Sequence, residues 1–98
     1  MNYYLKVVSE QAQKAIRQLD YVEDVVFASY GLDDSTLIVD SKQHLTYSNL
    51  AELFALVVQY FGDQDRATVE VGPTCIAFVG MVLKPKVTIS AVDCYGVI

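Results

Sequence analysis

The stretch from Tyr47 to Phe61 constrains this chain most, because its apolar residues cover more of a helix than one contact can hide. Thr46 to Asn49 offers several N-caps, and Asn49 with Glu52 has the spacing of a capping box. Gly62 and the polar Asp63-Gln64-Asp65 supply the stop. Tyr47, Leu50, Ala51, Phe54, Val57, Val58 and Phe61 form one stripe, and Leu53, Leu56 and Tyr60 a second ridge beside it. Together they span roughly 220° of a wheel that turns about 100° per residue. Ser48, Glu52 and Gln59, with Ala55, leave a narrow polar line. Such a helix needs two neighbours. The main stripe is expected to face a sheet, and Leu53, Leu56 and Tyr60 to meet either another helix or a second subunit.

The flanking segments predict that sheet. Asn2 to Val8 alternates, with Tyr3, Leu5 and Val7 on one face, and reads as a strand. Ser9 then caps a helix over Glu10–Leu19, whose Ala12, Ala15, Ile16 and Leu19 follow helical spacing. Val22, Val25 and Val26 would prolong that helix, but Val25-Val26-Phe27 is β-branched and aromatic. A hairpin of strands 24–30 and 36–41 across a turn-rich Gly31–Ser35 is preferred. Ala67–Val71 alternates, Gly72-Pro73 turns the chain, and Cys75–Leu83 is apolar on both faces, as in a covered central strand. After a Lys84-Pro85 turn, Val87, Ile89 and Ala91 alternate with Lys86, Thr88 and Ser90. The expected order is β-α-β-β-α-β-β-β. This is an α+β two-layer sandwich, a single domain over 1–98, with a mostly antiparallel sheet and two helices on one face.

Ninety-eight residues suffice for one core without disulfides or a structural metal. The net charge of −5 is unevenly spread: Asp20, Glu23, Asp24, Asp33, Asp34 and Asp40 fall in a segment with no Lys or Arg. An acidic balance argues against nucleic acid and anionic membrane, both of which attract Lys and Arg. Asp20, Glu23, Asp24, Asp33 and Asp34 form either a solvated edge or a surface that docks on a basic protein. The N-terminus lacks a signal-peptide pattern, and the longest apolar run, Cys75–Leu83, is about half a membrane span. Cys75 and Cys94 have no metal or redox spacing and are expected as free, buried thiols of a cytoplasmic protein.

No motif points to chemistry. His44, the lone histidine, lies in the polar loop Ser41–Thr46 without a spaced partner. Asp63 and Asp65 open like a calcium loop, but Thr68 and Thr74 stand where its Gly and Glu belong. The glycines do not form a phosphate-binding loop, and Gly80 inside an apolar strand suggests a bulge. No cofactor, metal or catalytic residue is expected. These features predict a non-enzymatic interaction or regulatory protein acting as a homodimer. The alternatives are a small-molecule binder, whose pocket would draw on the seven tyrosines, and an acidic inhibitor of a basic protein.

Overall fold

The computed structural model describes residues 3–30 and 34–83. The elements are α1 (Tyr3–Arg17), β1 (Val22–Ser29), β2 (Ser35–Ser41), α2 (Tyr47–Phe61), β3 (Thr68–Gly72) and β4 (Cys75–Met81). The four strands form one antiparallel sheet in the order β1-β2-β4-β3, with both helices on one face. The α+β single-domain sandwich read from the sequence is the observed one.

Its beginning needs correction. Residues 3–8 are the opening turns of α1 and not a strand. Alternation over Tyr3, Leu5 and Val7 spans only three residues. Val8, Ala12 and Ile16, spaced by four, continue one helical line, and Ala12 and Ile16 are fully buried. Ser9 is not a cap either. Its hydroxyl, buried mid-helix, donates to the Lys6 carbonyl at 2.9 Å and so finds its partner within the helix.

The hairpin forms as expected, with Val25 opposite Val39 and Phe27 opposite Leu37. The second hairpin turns at Pro73-Thr74, setting Gly72 opposite Cys75. Gly80 has φ 74°, and the register between β2 and β4 shifts beside it, between Ser35 and Leu37. Among the described residues no atom lies within 4 Å of a Cβ built there, so the backbone angle is what calls for glycine. The expected Lys84-Pro85 turn and the strand at Val87–Ala91 lie outside the described residues.

One face of the sheet carries the core. Val25 of β1, Leu37 and Val39 of β2, and Ile76, Phe78 and Met81 of β4 meet Ala12 and Ile16 of α1 and Leu53, Val57 and Phe61 of α2. Phe61 stacks on Phe27 at 5.6 Å, and Phe54 meets Phe78 edge-on at 5.2 Å. Thr46 caps α2: its side chain accepts from Asn49 N–H at 3.1 Å, while Asn49 Oδ1 accepts from Thr46 N–H at 3.1 Å. Asn49 is therefore the third helical residue of the box rather than its cap. Gly62, with φ 84°, ends the helix and donates to Val58 O. No described helix is long and apolar enough to cross a membrane.

Candidate functional site

The residues expected to mediate self-association are drawn into the chain's own core. Leu53 is fully buried, and Leu56 and Tyr60 are partly buried against the core cluster. Leu53 has no surface to offer a second subunit. The exposed large apolar residues of α2 are instead Tyr47 (91%), Phe54 (40%) and Val58 (44%), all of which the sequence had placed on the sheet-facing stripe. α1 packs against α2, and the buried side of α2 runs through Leu53, Val57 and Phe61. Phe54 and Val58 are left toward the side where no third helix stands among the described residues.

The acidic residues divide. Asp20, Glu23 and Asp24 are exposed near the start of β1, whereas Asp34 lies at the hairpin's far end. Asp33 lies outside the described residues. Asp40 joins the first group, since it is the register partner of Asp24.

The outer face of the sheet has a simpler order. Asp24, Asp40 and Cys75 are successive register partners; Val26, Ile38, Ala77 and Glu70 form the next such row. Ala28, Thr36, Val79 and Thr68 follow. Among the described residues nothing covers this face. Val26 is 48% exposed and Val79 37%, with Ile38 and Ala77 half-buried between them. Sequence reasoning missed this surface, although the signal existed. A strand apolar on both faces needs two covers, and the helices supply only one.

The two sheet edges differ. Beside β1, Arg17 of α1 donates to the Val25 carbonyl at 2.6 Å and pairs with Asp24 at 3.4 Å. An edge carbonyl is thereby occupied, a device that discourages strand addition. Among the described residues β3 pairs with β4 alone. Beside it, on the helix side, stand Val71, 54% exposed, and half-buried Val69.

Among the described residues two side chains have shifted acidities. Tyr21, buried, donates to Glu52 Oε1 at 2.9 Å and lies 3.3 Å from the Asn49 carbonyl. Burial above all, then the hydrogen bond to Glu52 and the charges of Glu52 and Asp20, push the phenol far above its ordinary range. The free, half-buried Cys75 is pushed up by burial first, then by the charge of Asp40 and its hydrogen bond to that carboxylate. Neither group is poised for catalysis near neutral pH, because each is held in its protonated form. Cys94 lies outside the described residues.

The tyrosines whose side chains are described do not converge. Tyr30 and Tyr47 are exposed, Tyr21 is buried, and Tyr60 is partly buried against the core cluster. A depression of about 390 Å³ runs along Glu10, Gln13, Lys14, Arg17 and Gln18 of α1. Another of about 330 Å³ lies at Asp63, Gln64, Asp65, Arg66 and Val82. Among the described residues no tyrosine lines either. His44 is exposed in its loop, and no group of three metal-ligating side chains gathers among the described residues. No protein-family model matches the chain, and no curated protein or solved structure shows a significant similarity to it.

Proposed function

We propose that this chain is a non-enzymatic interaction module that self-associates through the outer face of its sheet. The observation that carries this reading is the apolar row Val26–Ile38–Ala77, extended by Val79, on a face that no described element covers. An apolar patch of this kind, bordered by acids, has the composition of an interface. Two such faces stack about 10 Å apart, as in a β-sandwich. A twofold axis lying across the strands would set row on row, place Asp24 and Asp40 over the small Ala28 and Thr36 of the other copy, and leave the two Glu70 side chains facing each other at the exposed rim, a like-charge contact that limits the affinity. Four strands at about 4.8 Å and six residues at about 3.3 Å give a face of roughly 400 Å² in plan. That is modest for a stable complex, so a dimer that dissociates on dilution is expected.

The test is solution mass across the micromolar range for the wild type and Val26→Lys. Val26 points away from the core, so the variant should keep its circular dichroism and become monomeric. Wild type that is monomeric throughout, or a variant that dimerises as well as wild type, would sink this reading. The bordering Asp24 and Asp40 favour one second reading, in which the same face takes an apolar patch rimmed by Lys and Arg on a basic protein.

A further inference from the structure

Resting on the outer-face dimer proposed above, we infer that association is coupled to proton uptake: the two copies pair more tightly as pH falls, through protonation of Asp40 and Glu70. The register sets carboxylates at two borders of the apolar row. Glu70 closes the row Val26–Ile38–Ala77, as the register partner of Ala77. Asp40 stands one row away on β2, half-buried, between Asp24 of β1 and Cys75 of β4. Stacking two faces about a twofold axis across the strands sets Glu70 on Glu70 and Asp40 on Thr36 of the other copy.

Both acids then lose water, and each meets its own obstacle. Two carboxylates that face each other at an axis do not both stay ionised; the pair takes up a proton and shares it. Asp40 has Asp24 directly opposite it, a like-charge cross-strand pair that solvent screens in the free chain. A second sheet about 10 Å away puts Ala28 and Thr36 in place of that solvent, and the repulsion strengthens. The neighbouring groups decide where protons go. Arg17 of α1 lies 3.4 Å from Asp24 and offsets its charge. Cys75 donates its thiol to Asp40 and, held above its ordinary range by burial first, stays protonated near and below neutrality. Glu23 of β1 and Lys42, just beyond β2, are exposed at the same end of the sheet and keep their water at the rim. The facing Ala28, Thr36 and Val79 do not titrate. Asp40 and Glu70 are therefore the groups whose charge opposes stacking and whose protonation relieves it. Each proton bound on pairing raises the association constant by up to about tenfold per unit fall in pH.

Sedimentation equilibrium of the full-length protein at pH 7 and pH 5, at one ionic strength, reads the effect, with circular dichroism to follow the fold. Wild type should associate at least about tenfold more tightly at pH 5. Asp40→Asn with Glu70→Gln should associate at pH 7 about as tightly as wild type does at pH 5, and should lose most of the pH dependence. Glu10→Gln with Asp63→Asn removes the same charge from α1 and from the residues after α2, and should keep the wild-type dependence. That comparison separates protons bound at the contact from a change in net charge. Val26→Lys should be monomeric at both pH values. A dimer that Val26→Lys dissociates but that is indifferent to pH, or two double variants that behave alike, would overturn the proton coupling and leave the interface standing. Acid-tightened association that survives Val26→Lys, or wild type that is monomeric at both pH values, would remove the interface and the coupling with it.

Discussion

Tyr21 shows how one side chain ties the two layers and links stability to pH. It sits at the entry to β1, and its hydroxyl reaches Glu52 on α2. The fold favours the neutral phenol, so the folded value lies above the unfolded value of about 10. Its contribution is complete below that value and is lost as pH rises from there toward the folded one. Tyr21→Phe should cost about 1 kcal/mol near neutrality, because exposed Glu52 can turn to water. In alkaline absorbance titration, the variant should show one fewer tyrosine that ionises only as the protein unfolds than the wild type does. Cys75 follows the same logic at a thiol. With Cys94→Ser as background, Asp40→Asn removes the adjacent negative charge and lowers the thiol value, so alkylation at pH 8 should quicken several-fold. An unchanged rate would mean that burial alone protects the sulfur.

At the scale of elements, legibility followed the number of independent local signals. The sequence placed α2 at its observed bounds because both ends carry caps and the apolar spacing runs unbroken between them. Strands β2 to β4 were legible from alternation and the Gly72-Pro73 turn. The start of α1 was not, since it lacks an acidic first turn and its three alternating apolar residues also fit a helix. Which side of α2 would be buried was also beyond the sequence. That depended on where α1 lies, and α1 had been read as a shorter helix after a strand. Gly80 was read correctly as a bulge, and its energetics can now be assigned. A side chain at φ 74° meets no atom of the described residues, so Gly80→Ala should cost about 1–2 kcal/mol of backbone strain with no steric addition from them. Urea unfolding should show that loss with an unchanged slope. Gly80→Asn should cost less, because Asn tolerates the left-handed region. A loss well above this range would mean that the tail beyond Leu83 occupies the space beside Gly80.

For the whole molecule, charge separates the two readings of the outer sheet face. Its described strands carry Asp24, Asp40 and Glu70 and no Lys or Arg. Association of two copies brings together two bodies of net charge −5, so their long-range interaction is repulsive at every approach. Salt shortens the screening length from about 10 Å at 0.1 M to about 3 Å at 1 M and weakens that repulsion. It also strengthens apolar burial when the anion is sulfate. A dimer held by Val26, Ile38, Ala77 and Val79 should therefore tighten as sodium chloride rises, and tighten further in sulfate at equal ionic strength. Docking on a basic protein has the opposite sign, because screening weakens attraction and slows encounter. Sedimentation equilibrium at low and high salt measures the first. For the second, association kinetics with any captured basic partner, compared between wild type and Asp24→Asn with Asp40→Asn, give the matching slope. Self-association that weakens with added salt would require cationic residues in the contact. Within this chain that would point away from the sheet face, toward Lys14 and Arg17 of α1 or Lys84 and Lys86 of the tail.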